Sequence, residues 1–160
     1  MKFYLASRFK NRETLLKIET ELQNKGHIIN SRWLHGPIVP HDAPDYEDHC
    51  KEWANKDLED IANSDAIIIV TNNCEKVPGG IWWEAGFAMG LGKTVFICGP
   101  KINVFCHHES IEYYEDIDKM LENIGKIYLS IKTLINKPKF CDGHSCGADT
   151  MYGDGICRCS

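Results

Sequence analysis

The sequence predicts a single α/β domain with a mostly parallel β-sheet. Apolar segments of strand length alternate along the chain with longer segments whose apolar residues recur at helical spacing. Residues 66–71 (AIIIVT) form an unbroken apolar run, which is typical of a central parallel strand covered on both faces. With 160 residues, 43% of them hydrophobic, the chain can bury one sizeable core and is too short for two full domains.

Four strands are predicted in chain order. Residues 2–7 (KFYLAS) and residues 27–33 (HIINSRW) have strand character, the first of them apolar and partly aromatic. The run at residues 66–71 is the third strand, and residues 94–98 (TVFIC) are another buried strand. Because ligands bind beyond the carboxyl ends of parallel strands, the segments after these strands are candidate binding segments. They include Ser7, Arg8 and Trp33.

Four helices are predicted between and after the strands. The first follows Asn11, a plausible N-cap, and ends near Gly26. The second covers residues 46–63, and the third covers residues 81–91 after a tight turn at residues 78–80. The fourth runs from residue 116 to about residue 137, with Gly125 as a possible break. The loop at residues 37–48 is rich in His and Asp and is expected to be a solvated lid rather than a metal site.

The strongest local feature is residues 78–93 (PGGIWWEAGFAMGLGK). Gly79 and Gly80 allow a ligand to approach the backbone closely and leave helix N–H groups free. Glu84 is predicted in the first helical turn, and this pattern alone favours a residue that complements the helix dipole. Trp82 and Trp83 are either core residues or the wall of a site that stacks a flat base.

Residues 57–65 (DLEDIANSD) supply further carboxylates before the central strand. Asp57 and Asp60 are three residues apart and share one face of a helix. Two carboxylates across a crevice suit glycosidic chemistry, in which one attacks the anomeric carbon and the other transfers a proton. Asp60 is expected on a solvated helix face, whereas for Asp57 both interpretations remain open.

Five segments are more specific together than alone: YLASRF (residues 4–9), SRWLHG (31–36), DLEDIANSDAIIIV (57–70), GG-x3-E-x-G (79–86) and GPKINVF (99–105). In this order and spacing they resemble the nucleoside 2-deoxyribosyltransferase-like family, which includes deoxynucleoside monophosphate N-hydrolases and cytidine-monophosphate N-glycosidases. The resemblance runs from about residue 2 to residue 124. It implies a flavodoxin-like three-layer sandwich with about five strands, assembled as a homodimer or larger homo-oligomer.

The resemblance also implies roles for individual residues. Glu84 would be the nucleophile that forms a glycosyl-enzyme intermediate, Asp57 would position the sugar or protonate the base, and Tyr4 would hold the nucleophile or the sugar. Substrate-binding roles are expected for the other residues near the strand ends and in the loop that often reaches a neighbouring subunit in this family. These are Ser7, Arg8, Trp33, Gly79, Gly80, Trp83, Asn103 and His107.

The predicted activity is therefore cleavage or transfer at the N-glycosidic bond of a (deoxy)nucleoside or nucleoside monophosphate, without a catalytic cofactor. A non-catalytic nucleotide-binding module and an NAD-cleaving glycohydrolase are the alternatives. The formal net charge is -5 and no basic block stands out, so duplex nucleic acid is not an expected partner. No apolar run is long enough for a membrane span, and a soluble, cytoplasmic protein is expected.

The chain is predicted to divide into an α/β domain at residues 1–137 and a Cys/His-rich C-terminal tail at residues 138–160. Thiolates and an imidazole at these intervals could form a structural zinc site, although disulfides or an unligated tail remain open. The candidate zinc ligands are Cys141, His144, Cys146, Cys157 and Cys159.

Overall fold

The fold is an α/β sandwich around a five-stranded parallel sheet. A computed structural model describes residues 1–72 and 79–135, with side chains described as far as residue 126. The strands lie in the order β2-β1-β3-β4-β5, and every neighbouring pair is parallel. This is the flavodoxin-like order that the resemblance implied. Among the described residues, no helix combines the length and apolar character that crossing a bilayer requires.

The strands and helices alternate as predicted. The strands are β1 (Lys2–Ala6), β2 (Ile28–Ile29), β3 (Ala66–Val70), β4 (Thr94–Cys98) and β5 (Ile111–Tyr114). The helices are α1 (Arg12–Asn24), α2 (Tyr46–Ala62), α3 (Gly79–Gly90) and α4 (Ile117–Ile135). Short 3-10 turns cover Phe9–Asn11, Arg32–His35 and Val104–His107. Gly125 lies inside α4, so the possible break at this residue is not present.

Two cores lie on the two faces of the sheet. Phe3 and Leu5 of β1 pack in one cluster with buried residues of α1 and α4. Tyr4 and Ala6 point to the other face and pack in a second cluster with buried residues of α2 and α3. The alternation of side chains along a strand thus places the Tyr4 ring, which is fully buried, beneath α2 and α3.

The second strand is much shorter than the predicted residues 27–33. It ends at Ile29, because two side chains then occupy the backbone groups of Leu5 that a longer strand would have paired. Ser31 Oγ accepts a hydrogen bond from Leu5 N (2.6 Å), and Trp33 Nε1 donates to Leu5 O (2.9 Å). The chain consequently turns into a 3-10 helix, which holds Trp33 beside the end of β1.

The last strand was not predicted from the sequence. Ile111–Tyr114 forms the edge of the sheet beside β4, and its residues are half-buried or exposed. Its apolar character is weak because an edge strand packs on fewer neighbours than a central one. The strand matters for the site because Gly99 N donates to Tyr114 O (2.9 Å), which continues the β4–β5 pairing to the carboxyl end of the sheet.

Replacement of Gly99 by Ala should destabilise the fold. Gly99 has φ 120°. A Cβ there would lie 2.1 Å from Asn72 Oδ1 and 2.7 Å from Asn72 N. We expect Gly99→Ala to lower the free energy of unfolding, measured by urea denaturation, by roughly 1–3 kcal/mol. The matched control is Gly125→Ala, where a Cβ meets nothing within 4 Å. In a helix interior this control should raise stability by about 0.5–1 kcal/mol, and equal effects of the two changes would contradict the prediction.

Candidate active site

The candidate site lies where the strand order reverses, between β1 and β3. Side chains tie the carboxyl ends of these two strands together. Ser7 Oγ donates to Val70 O (2.6 Å), while Asn11 Nδ2 donates to Ser7 Oγ and to Asn72 O, both at 3.0 Å. Asn11 occupies the predicted N-cap position of α1 but makes no capping hydrogen bond there. Its side chain instead connects the two strand ends, and the hydroxyl proton of Ser7 is donated to the backbone carbonyl of Val70.

Three elements bring together the three residues predicted to be catalytic. The Tyr4 hydroxyl on β1 donates to Glu84 Oε1 on α3 at 2.8 Å. Asp57 on α2 interacts electrostatically with both Tyr4 and Glu84. Asp57 Oδ1 is buried and has no hydrogen-bond partner within the described residues. A buried acceptor without a donor is costly unless a ligand or solvent satisfies it, so Asp57 is suited to bind a donor group of a ligand.

Glu84 does not lie in the first turn of its helix, as the sequence had suggested. Gly79 and Gly80 belong to α3 rather than to a preceding turn, so Glu84 is the sixth residue and lies in the second turn. No acidic residue occupies the first turn of α3. The dipole role proposed for Glu84 therefore has no structural basis, because that effect is confined to the end of a helix.

The environment of Glu84 and Asp57 favours their protonated forms. Burial raises the pKa of Glu84 to about 7; the hydrogen bond from Tyr4 lowers it, and the charge of Asp57 raises it. Burial also raises the pKa of Asp57 to about 6, which the Tyr4 hydroxyl opposes. The pKa of Tyr4 is raised far above its usual range by burial and then by the two carboxylates, so Tyr4 remains a donor. Two carboxyl groups that titrate near neutral pH are suited to acid–base and nucleophilic chemistry.

An aromatic ledge adjoins the end of β1. Trp33 is half-buried, and its orientation is set by the hydrogen bond to Leu5 O. The Phe9 ring lies with its centroid 6.4 Å from that of Trp33, and Phe9 is 49% exposed. Arg12 lies over Phe9 at 5.6 Å and donates to Leu34 O (2.6 Å), which braces the ledge. Phe9 was not predicted as a site residue, although its position directly after Ser7 and Arg8 was a usable signal.

The remaining predicted binding residues have different surroundings. Arg8 is half-buried at the end of β1, while Gly79 and Gly80 are exposed in the first turn of α3. Trp83 is 82% exposed and lines an apolar cavity of about 510 Å³ on the outer side of α3. Asn103 caps the third 3-10 turn by accepting from Cys106 N (3.2 Å), and His107 is exposed in that turn. Their binding roles remain predictions.

Asp60 is not on a solvated face, which corrects the sequence expectation. It is 6% exposed and accepts hydrogen bonds from Arg32 N (2.9 Å) and Arg32 Nε (2.8 Å). Arg32 is distant in sequence, so this pairing was not visible from the spacing of the acidic residues. The role of Asp60 is structural, since its contacts fix the second 3-10 turn against α2.

Within residues 1–72 and 79–126, whose side chains are described, no three His, Cys, Asp or Glu side chains are grouped so that they could hold a metal ion. The candidate zinc ligands of the tail lie outside the described residues. Zinc, disulfides and an unligated tail therefore remain open there.

Comparison with known proteins covers most of the chain. The family model for nucleoside 2-deoxyribosyltransferase matches residues 3–131, a range that contains Tyr4, Asp57 and Glu84. A solved structure of a 2-deoxyribosyltransferase from the bacterium Bacillus psychrosaccharolyticus is 28% identical, with a TM-score of 0.58 over 76% of this chain and 90% of that one. The CMP N-glycosidase of Clostridium botulinum is 18% identical, with a TM-score of 0.54 over 78% of this chain and 98% of that one, and shows likeness of fold. Comparison with curated proteins gave no match.

Burial of Glu84 predicts a stability effect that depends on pH. Since its pKa is raised on folding to about 7, the folded state favours the protonated form, and this contribution is lost as the pH rises from about 4.5 through 7. At pH 8, Glu84→Gln should therefore raise the free energy of unfolding by about 1 kcal/mol or more. The gain should shrink at pH 5.

The exposed Glu21 on α1 provides the control, because Glu21→Gln should have little effect at either pH. The free energy of unfolding of the parent, Glu84→Gln and Glu21→Gln is measured by urea denaturation at pH 8 and pH 5. A Glu84→Gln protein that is no more stable than the parent at pH 8 would show that burial of the charge carries no penalty.

Proposed function

Since the chain belongs to the nucleoside 2-deoxyribosyltransferase family, we propose that it cleaves or transfers the N-glycosidic bond of a (deoxy)nucleoside or nucleoside monophosphate, with Glu84 as nucleophile. The observation that carries this proposal is the hydrogen bond from Tyr4 to Glu84 Oε1, made beside Asp57 at the point where the strand order reverses. It holds one carboxylate oxygen and leaves the other, Oε2, for attack.

The first chemical step breaks the bond between the sugar and the base. Glu84 Oε2 attacks the anomeric carbon and forms an ester, and the electron pair of the glycosidic bond leaves with the base. Protonated Asp57 supplies a proton to the departing base, which makes it a better leaving group. A covalent ester divides one difficult displacement into two easier ones.

The second step releases the sugar from Glu84. A water molecule or a second base attacks the anomeric carbon, the carbon–oxygen bond to Glu84 breaks, and Asp57 takes up the proton of the attacking group. Water gives hydrolysis, and a base gives transfer. Both steps use side chains of the chain alone, so the proposed reaction requires no catalytic cofactor.

Burial makes this division of roles possible at neutral pH. Glu84 must be ionised to attack and Asp57 must be protonated to act as an acid. Since the pKa of Asp57 is about 6 and that of Glu84 about 7, the form with Glu84 ionised and Asp57 protonated is the minor of the two singly protonated forms, and its population is greatest between these two values. Tyr4 remains protonated, so its hydroxyl keeps Glu84 oriented throughout the reaction.

The surroundings of the centre support a nucleoside-sized ligand. The ledge of Trp33 and Phe9, whose rings are tilted by 45° to each other, offers an aromatic surface, and the exposed Phe9 ring is a face on which a base can stack. We assign the sugar or a 5'-phosphate to the side of the site formed by Ser7, Arg8 and the first turn of α3 at Gly79 and Gly80, where N–H groups are available. The protein is further proposed to work in the cytoplasm as a homo-oligomer on small molecules.

A substrate panel tests the reaction and its nucleophile. Nucleosides, deoxynucleosides, their monophosphates and NAD are incubated separately with the protein, and free base is measured by chromatography. We expect at least one nucleoside or monophosphate to release its base, and Glu84→Ala to reduce the rate by roughly a thousandfold or more. Glu21→Gln should leave the rate unchanged.

Addition of a second free base separates transfer from hydrolysis, since only transfer gives a new nucleoside. The proposal fails if no nucleoside or monophosphate is cleaved, or if Glu84→Ala acts as fast as the parent. Cleavage of NAD alone would instead identify the NAD-cleaving alternative.

The pH dependence tests the pairing of an ionised Glu84 with a protonated Asp57. We expect kcat/KM to follow a bell-shaped profile with limbs near pH 6 and pH 7, which are macroscopic values of the coupled pair. Asp57→Asn should remove the loss of activity at high pH and should slow substrates with poor leaving bases most. A variant that keeps both limbs would exclude Asp57 as the acid.

A further inference from the structure

Three consecutive residues, Ser31, Arg32 and Trp33, connect β1 to α2. Ser31 and Trp33 hold the backbone of Leu5, since Ser31 Oγ accepts a hydrogen bond from Leu5 N (2.6 Å) and Trp33 Nε1 donates to Leu5 O (2.9 Å). Arg32 lies between them and holds Asp60. The backbone N and the Nε of Arg32 donate to the two carboxylate oxygens of Asp60 at 2.9 Å and 2.8 Å. The segment therefore fixes the position of α2 relative to β1.

The two positions held by this segment lie beside two residues of the site. Leu5 directly follows Tyr4 on β1. Asp60 lies three residues after Asp57 on α2, so the two acids share one face of the helix. Tyr4 and Asp57 interact with each other across the gap between β1 and α2. A displacement of α2 along β1 would therefore change how closely Asp57 approaches the Tyr4 hydroxyl.

The ion pair of Arg32 and Asp60 is partly enclosed and has several contacts. Asp60 is 6% exposed, and each of its oxygens receives a hydrogen bond from Arg32. Arg32 Nη2 also donates to Lys56 O (3.2 Å), one turn earlier on α2. Removal of one partner of such a pair leaves an uncompensated buried charge, which is far more costly than loss of a surface ion pair. The pair is thus able to hold α2 in one position.

The charges of Arg32 and Asp60 act on Asp57 in opposite directions. Burial has the largest effect on the pKa of Asp57 and raises it, while the Tyr4 hydroxyl lowers it. The charge of Asp60 raises this pKa, and the charge of Arg32 lowers it. Glu84 faces Asp57 from α3 as a further carboxyl group. The ion pair therefore brings an anion and a cation to Asp57 together, and loss of one partner leaves the effect of the other uncompensated.

We propose that Arg32 and Asp60 are positioning residues for Asp57, as a pair that holds α2 against β1 and places two opposed charges beside the acid. Asp60 thus has a role beyond fixing the second 3-10 turn. Both residues act through Asp57 and not on the substrate. The inference rests on the proposed function, because proton transfer by Asp57 gives the pair its importance, but the charge balance at Asp57 is measurable without turnover.

Carboxyl NMR of the full chain measures the effect of the pair on Asp57. The chain is labelled with ¹³C at its Asp carboxyl groups and carries Glu84→Gln, so that Asp57 titrates without this coupled neighbour. The signal of Asp57 is the one that disappears when Asp57→Asn is added. We expect Arg32→Gln to raise the titration midpoint of Asp57 by roughly half a pH unit, and Asp60→Asn to lower it by a similar amount. Arg32→Lys keeps the positive charge and should keep the midpoint near that of the parent.

The opposite directions distinguish this role from a merely structural one. If the pair only held the fold together, loss of either partner would admit water to Asp57 and move its midpoint down, towards the ordinary value of about 4. Glu59→Gln is the matched control, because Glu59 also accepts a hydrogen bond from Arg32 but is exposed. It should leave the midpoint of Asp57 unchanged.

A double variant keeps the test available if Arg32→Gln does not fold. Arg32→Gln combined with Asp60→Asn buries no unpaired charge, and its Asp57 midpoint should lie above that of Asp60→Asn alone. The proposal is overturned if loss of the Arg32 charge lowers the midpoint or leaves it unchanged in both backgrounds, or if Asp60→Asn fails to lower it.

Kinetics with Glu84 intact connect the pair to the reaction. The alkaline limb of kcat/KM should move to higher pH in Arg32→Gln and to lower pH in Asp60→Asn, in step with the NMR midpoints. The two measurements distinguish the two ways of failing. Midpoints that do not shift refute the effect of the pair on Asp57. Midpoints that shift while the alkaline limb stays in place refute Asp57 as the acid of the proposed reaction, and the positioning role with it.

Discussion

The hydrogen bond between the Tyr4 hydroxyl and Glu84 is the interaction on which the arrangement of the site depends. A half-buried carboxylate such as Glu84 is stabilised by a hydrogen-bond donor, because a charge removed from water without one is costly. Tyr4 can supply that donor only from the face of β1 that α2 and α3 cover. The alternation of side chains along β1 and the packing of α3 must therefore place Tyr4 and Glu84 on the same face of the sheet. The hydrogen bond of 2.8 Å between them shows that they do.

The same burial that raises the pKa values of Glu84 and Asp57 opposes the stability of the fold. Glu84 and Asp57 each favour the proton-bound form, so near neutral pH the folded chain holds a pair of acids that the unfolded chain would ionise more readily. Asp57 Oδ1 adds to this cost because no described group donates to it. Asp60 is also buried, but Arg32 donates a hydrogen bond to each of its two carboxylate oxygens. Asp57 and Asp60 both lie on α2, and they differ because Asp60 has a cationic partner and Asp57 Oδ1 has no described donor.

The central strands could be predicted from the sequence, because they depend on a local run of apolar residues. The apolar runs at β3 and β4 were placed almost to the residue, since central parallel strands need apolar side chains on both faces. The end of β2 could not be found in this way, because it is set by Ser31 and Trp33, whose side chains replace strand pairing on Leu5. Sequence spacing suggested a shared helix face for Asp57 and Asp60 but not the partner of Asp60, because Arg32 lies on another element. The resemblance named Tyr4, Asp57 and Glu84, and only the folded chain shows their contacts.

Helix α3 packs on the sheet through its inner side and also places a carboxylate, Glu84, on that side. Its inner side must pack on the sheet and still present a carboxylate, and its outer side lacks the charged residues that keep most surface helices solvated. Glu84 and Trp83 are neighbours in sequence, yet successive residues are rotated by about 100° around a helix, so one faces Tyr4 and the other faces outward. The absence of other charges on α3 also serves the site, because no cation on the helix can pair with Glu84 and lower its pKa. Burial and the charge of Asp57 raise the pKa of Glu84 to about 7, and no other charged residue of α3 opposes them.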